Sequence, residues 1–182
     1  MNSVGNNAGD NMVNIAVLVK QVPDTNSKIQ IVGDRVDLSS VKMEISPYDE
    51  FAVENALQHK ESEGGTVTAI TVGNDGADKV LKGVKALGVD NIVRLDYDGY
   101  MDSNGLQSVL ADEIKSGGYD VVYCGKSAAD TGAGSTGPGI AERLGWGSIS
   151  NATEIKFGEG LMVTSPAEGG DAIASLSLPA VV

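Results

Sequence analysis

Two rhythms of apolar residues alternate along this chain. Four short segments are almost continuously apolar: NIAVLVK (14–20), TVTAITV (66–72), NIVRLDY (91–97) and DVVYC (120–124). Each is bounded by Gly, Asp or Asn, and runs of this kind predict strands buried on both faces of a sheet. Between them the period lengthens to that of a helix. Ala52, Val53, Ala56 and Leu57 recur within SPYDEFAVENALQHKESEGG. There Ser46 is placed as N-cap, Pro47 in the first helical position and Asp49-Glu50 in the first turn. Ala77, Val80, Leu81, Val84 and Leu87 form one face of a second helix, which Gly88 stops. Leu106, Val109, Leu110 and Ile114 form a third, ended by Gly117-Gly118. A fourth helical run, GPGIAERLGW, follows the last of the four strands, with Ser135 or Thr136 as its cap and Pro138 in its first turn.

Strand and helix thus alternate from residue 66 to residue 145, which predicts an α/β fold with a parallel sheet and helices on both faces. Two stretches break the alternation. KIQIVGDRVDLSSVKMEI (28–45) reads as a small hairpin turning at VGDR. After residue 147 the period is that of strands joined by the turns FGEG and EGGD, which predicts a β-meander at the domain edge. The polar stretch 1–13 is read as a disordered tail, and 14–182 as a single α/β domain, for which the loop and the resemblance given below imply nucleotide binding.

Composition narrows the chemistry. Aromatics make up 4% of the 182 residues, so the core must be built from Val, Leu, Ile and Ala. The formal charge of −12 argues against a nucleic-acid binder and against an anionic membrane surface. One cysteine, Cys124, excludes an intramolecular disulfide, and the single histidine, His59, argues against a histidine-based catalytic or metal site. No apolar run approaches the ~20 residues of a membrane span, and the N-terminus lacks the basic and apolar regions of a signal peptide, so a cytoplasmic location is expected. Cys124 is read as a small core hydrophobe, His59 as a solvated surface residue, Trp146 as a packing anchor, and Asp96, Asp98 and Asp102 as a solvated loop.

The stretch with most chemical character is GKSAADTGAGSTG (125–137), between the strand YDVVYC and the fourth helix. Ligands of parallel sheets bind beyond the carboxyl ends of the strands, and a helix N-terminus there offers free N–H groups to a phosphate. Glycines let the backbone approach, and Ser135 and Thr136 add hydroxyl donors. A tight turn without a ligand explains the same pattern. The loop is neither a Walker loop nor a Rossmann fingerprint. Lys126 is placed either on a phosphate or in solvent. Asp130 is placed either on a ribose or within the loop itself. No nucleophile–base pair, carboxylate dyad or metal cluster is visible, so no catalytic residue is assigned.

Five stretches in collinear order resemble the beta subunit of electron-transfer flavoproteins (the FixA family): VLVKQVPDT (17–25), VKMEISPYDEFAVENAL (41–57), TVGNDGADKVLKGVKALGVDNIVRL (71–95), the glycine loop, and LSLPAVV (176–182). The resemblance implies a three-layer sandwich of the adenine-nucleotide alpha-hydrolase-like type. It implies a non-catalytic electron carrier that pairs with an alpha subunit, holds FAD at their interface, serves flavoenzymes of the acyl-CoA-dehydrogenase kind, and carries a structural AMP or a second FAD itself. The implied adenosine side is Leu18, Ser46, Pro47, Tyr48, Asp49, Val72 and Gly73. The implied phosphate side is the loop: Gly125, Lys126, Ser127, Ala128, Asp130, Gly132, Gly134, Ser135, Thr136 and Gly137. Two departures stand out. Ser46 replaces the family's Asn before Pro, and DTGAGSTG lacks two carboxylates and an Asn-Gln pair of the family loop. The family continues beyond LPAVV into a partner-docking arm, which this chain is read as lacking. A free-standing nucleotide-binding module of the universal stress protein type is the alternative. An ATP-splitting enzyme of the same superfamily ranks last, because KQVPDT stands where its phosphate loop would be.

Overall fold

The computed structural model describes residues 12–182. Most of the expected tail therefore lies outside the described residues. Val13 already belongs to the first strand, β1 (Val13–Leu18). The other elements, in order, are β2 (Gln21–Pro23), β3 (Gln30–Val32), β4 (Arg35–Asp37), β5 (Met43–Ile45), α1 (Pro47–Glu63), β6 (Gly65–Gly73), α2 (Asp78–Ala86), β7 (Asn91–Asp96), α3 (Ser103–Gly117), β8 (Val121–Cys124), α4 (Thr136–Leu144), β9 (Gly147–Ser148), β10 (Glu154–Gly158), β11 (Gly160–Ala167), β12 (Gly170–Leu176) and β13 (Ala180–Val181).

Six strands form one parallel sheet in the order β7-β6-β1-β8-β13-β9. β1 lies between β6 and β8, and its Ile15, Ala16 and Val17 are fully buried. This is the two-faced burial that its unbroken apolar run demands. Side chains of alternate parity leave the sheet on opposite faces. Ile15 and Val17 join Val67, Ala69, Val121 and Tyr123 in a core closed by α1 and α2. Ala16 and Leu18 join Ile70 and Val122 in a second core closed by α3 and α4 through Leu110, Ile114 and Ile140. Helices on both faces of a parallel sheet make the expected three-layer sandwich. The hairpin also forms, with β3 and β4 paired around Gly33-Asp34.

Three expectations are corrected. NIVRLDY is an edge strand and is not buried on both faces: among the described residues nothing pairs with β7 beyond β6, and none of the residues of β7 is fully buried. The C-terminal strands do form an antiparallel meander, β10-β11-β12, but the chain does not end in it. LPAVV turns back into the parallel sheet, where β13 pairs with β8 on one side and β9 on the other. These strands were missed because two residues carry no period. Finally, His59 is 1% exposed, not solvated. The meander folds over α1 and stacks Phe157 on its imidazole, a long-range contact invisible in helical periodicity.

Candidate functional site

The carboxyl ends of β1, β6 and β8 and the N-termini of α3 and α4 surround a cavity of about 210 Å³. This is where a parallel sheet opens, since the strands stop there and the crossover helices begin. Its apolar wall includes Leu18, Val72, Leu106 and Leu110, and Tyr100 and Met101 stand at its rim. Thr71 also lines it, but its hydroxyl, which has no hydrogen-bond partner, is buried away from the cavity.

The glycine loop closes the cavity, and three elements anchor it. Asp49, in the first turn of α1, is 7% exposed and accepts from the backbone N–H of Lys20 at 2.8 Å. It also accepts from the N–H of Gly125. A Cβ on Gly125 would overlap Asp49 Oδ1 and lie 2.8 Å from the Asp49 backbone nitrogen, so only glycine allows this approach. Burial pushes the Asp49 carboxyl up to about 7, outweighing the pull of those two donors and of the Lys20 charge. Ser46 holds the N-cap position but its hydroxyl does not cap α1, contrary to expectation. It accepts instead from the N–H of Ala129 in the loop, at 3.3 Å. The side chain of Asp130 takes the Lys20 ammonium, with oxygens at 2.7 and 2.8 Å. Within the loop, Gly132 N–H donates to Ala128 O at 2.8 Å, and Gly132 and Gly134 have φ of +61° and +60°. Ser135 is the N-cap of α4 by position and makes no side-chain cap; its carbonyl accepts from Gln107 Nε2 at 3.0 Å.

On the far side of the same loop lies a second cavity of about 610 Å³, bounded by α1, residues 148–155 and the chain's last two residues. Gly125, Lys126, Ser127 and Gly134 line both cavities, so the loop is their common wall. Cys124 touches both as well. Burial, with Asp49 beside it, pushes its thiol up to about 12, which makes it an inert packing group at neutral pH.

Of the residues assigned from sequence, Leu18, Asp49, Val72, Gly125, Lys126, Ser127, Ala128, Gly134 and Thr136 line the smaller cavity. Tyr48, Gly132 and Gly137 line only the larger one. Ser46, Pro47, Gly73, Asp130 and Ser135 line neither. Ser46 and Asp130 act on the loop from behind, and the Gly73 carbonyl accepts from Tyr97 N–H at 3.3 Å. Sequence reasoning missed Lys20, Thr71, Tyr100, Met101 and Asp102, all in the smaller wall. The strand-end rule that singled out the glycine loop applies equally to Lys20 and Thr71, at the ends of the first two central strands. Tyr100 and Met101 sit in an aperiodic loop that gives no such signal.

No helix among the described residues is long and apolar enough to cross a membrane. Comparison with known proteins places these features in a family. The model of the electron transfer flavoprotein domain matches residues 35–182. The chain is 34% identical over 148 residues to the electron transfer flavoprotein subunit beta of Bacillus subtilis, covering 80% of this chain and 58% of that protein. It is 33% identical over 172 residues to the subunit of the same name from Syntrophomonas wolfei, covering 92% and 68%. It is 31% identical over 175 residues to the acryloyl-CoA reductase electron transfer subunit gamma of Anaerotignum propionicum, covering 92% and 66%. The chain thus spans 58% to 68% of the length of these relatives. With the match running through the parallel sheet, the glycine loop and the returning strand, the chain belongs to the electron transfer flavoprotein domain family.

Proposed function

We propose that this chain is the beta subunit of a heterodimeric electron-transfer flavoprotein. It carries electrons between flavoprotein dehydrogenases and a downstream acceptor. An adenine nucleotide, either AMP or the adenylate half of a second FAD, occupies its smaller cavity, and FAD sits at the interface with an alpha subunit. The observation that carries this reading is the strand-end cavity itself, with the glycine loop across it. Family membership favors it over a free-standing module of the universal stress protein type.

The residues present suit an adenine nucleotide. Leu18, Val72, Leu106 and Leu110 offer apolar surface to a base. The loop and the start of α4 bring backbone N–H groups and the positive end of a helix toward a phosphate. Thr136, in the wall at that helix end, adds a hydroxyl. Asp49 takes no part in holding the phosphate; it fixes Gly125 and Lys20 so that the loop keeps its place. FAD, when bound, supplies the redox chemistry, and this chain's share is to shape and shield the site.

Denaturing the purified protein and identifying the released nucleotide by chromatography and mass spectrometry tests the reading. Stoichiometric AMP supports the ordinary type, and FAD in the isolated chain supports a second flavin. No released nucleotide, together with no AMP binding in a calorimetric titration, overturns it. Sedimentation with an alpha subunit at tens-of-micromolar concentration tests the partner, and the absence of a complex counts against the heterodimer.

A further inference from the structure

Two cations, Lys20 and Lys126, and two carboxylates, Asp49 and Asp102, stand among the residues lining the smaller cavity. Both carboxylates are engaged with backbone: Asp49 accepts from the N–H groups of Lys20 and Gly125, and Asp102 caps α3 by accepting from Gly105 N–H at 2.7 Å. Lys126 is exposed on the loop. Lys20 is different. Its backbone is fixed at the end of β1 by Asp49 and by Ser46 N–H, which donates to its carbonyl at 2.9 Å. Its ammonium is bound by both oxygens of Asp130, 110 residues further along the chain.

That pair is half-open to water, with side-chain exposures of 39% and 29%. Pairs so exposed contribute little net stability, because solvent screens them. A phosphate carries more charge than one carboxylate and accepts from an ammonium at similar distances. We propose that Lys20 reads the phosphate of the nucleotide, and that Asp130 is an internal stand-in which holds Lys20 until an anionic ligand displaces it. The inference rests on the nucleotide reading of this cavity and extends it to a residue that positions the loop as well as the ligand. Without a ligand the Lys20–Asp130 pair is a weak pin between the loop and the end of β1. A bound phosphate takes over the ammonium, repels the Asp130 carboxylate and releases that pin, so binding and loop position become linked.

Calorimetric titration of AMP and of adenosine into the full chain and its variants tests this. Lys20→Gln is expected to weaken AMP by roughly tenfold or more, the loss of one charge-assisted contact, while leaving adenosine unchanged. Lys20→Arg keeps the charge and is expected to retain most of the AMP affinity. Asp130→Asn removes the competitor and is expected to tighten AMP several-fold, again without effect on adenosine. Asp130→Asn weakening AMP would overturn the proposal, since the pair would then be scaffold for the site. Equal losses for AMP and adenosine in Lys20→Gln would do the same. If the parent binds AMP and neither variant changes it, this proposal fails alone. If the parent binds neither compound, it fails together with the nucleotide reading.

Discussion

The imidazole of His59 lies parallel to the ring of Phe157, with centroids 4.5 Å apart and planes 9° from coplanar. Its Nδ1 is 3.0 Å from the hydroxyl of Tyr123, on the central strand β8. One side chain therefore joins α1, the meander and the parallel sheet. Burial holds its pKa below the ordinary 6.5, so it is neutral in the folded protein at pH 7.

The sign of the resulting pH dependence follows. Below 6.5 the unfolded chain takes up a proton that the folded chain refuses, so His59 makes stability fall as pH drops through that value. The slope is at most about 1.4 kcal/mol per pH unit. His59→Gln is expected to be less stable than the parent at pH 8, through the lost stack, and to lose less on going to pH 5.5. Urea midpoints at the two pH values measure this. A parallel loss in both proteins would contradict it.

Asp49 acts in the opposite sense. Its carboxyl is raised from 3.8 to about 7, so between those values the folded chain binds more protons than the unfolded one. Stability contributed by the protonated form is lost as pH rises across this window. Asp49→Asn cannot ionize. Relative to the parent, the variant should therefore gain stability steadily from pH 4 to pH 7. The two windows overlap and oppose each other, so the parent's own profile hides both and only the single variants separate them.

Gly125→Ala tests the close approach at the loop's start. The added methyl would overlap Asp49 and press on the α1 backbone, which cannot yield cheaply. A destabilization of about 1–3 kcal/mol is expected, the usual cost of overpacking. Combining it with Asp49→Asn should not restore stability, because the backbone contact remains.

Gly134 separates strain from space. Its φ is +60°, yet a Cβ there would meet nothing closer than Lys126 O at 3.5 Å. Gly134→Asn should keep the loop, since Asn tolerates left-handed backbone, and Gly134→Val should not. AMP affinity is expected to fall sharply in the Val variant and little in the Asn variant, with the far-ultraviolet circular dichroism of both unchanged.

Much of this architecture was legible in local pattern. β1, β6 and β8, the four helices and the VGDR hairpin follow from periodicity and caps, because each of these elements satisfies itself over a few consecutive residues. What escaped is held by distant contacts. His59 reads as surface because Phe157, which covers it, lies 98 positions away. The hydroxyl of Ser46 reads as a helix cap, and it is spent on Ala129 because the loop arrives there from another strand. The strand-end rule located the glycine loop, and the resemblance named Leu18, Asp49 and Val72. Lys20 was within reach of the strand-end rule, but its pairing with Asp130 was not, because the parallel order of β1 and β8 brings together residues 110 positions apart.

The two-residue strand β13 has a consequence for how the chain is made. Among the described residues, 147–148 reach the sheet only by pairing with 180–181, and β8 has no other neighbor on that side. During synthesis the half-built sheet therefore leaves the edge of β8 bare until Ala180 and Val181 emerge. A growing chain in that state offers an open strand to any other polypeptide nearby. Closing it is a non-local step, across some sixty residues, so it is slow by the general dependence of rate on contact separation. A nascent chain stalled before LPAVV is the form most exposed to mispairing, and there a ribosome-associated chaperone would have most to protect.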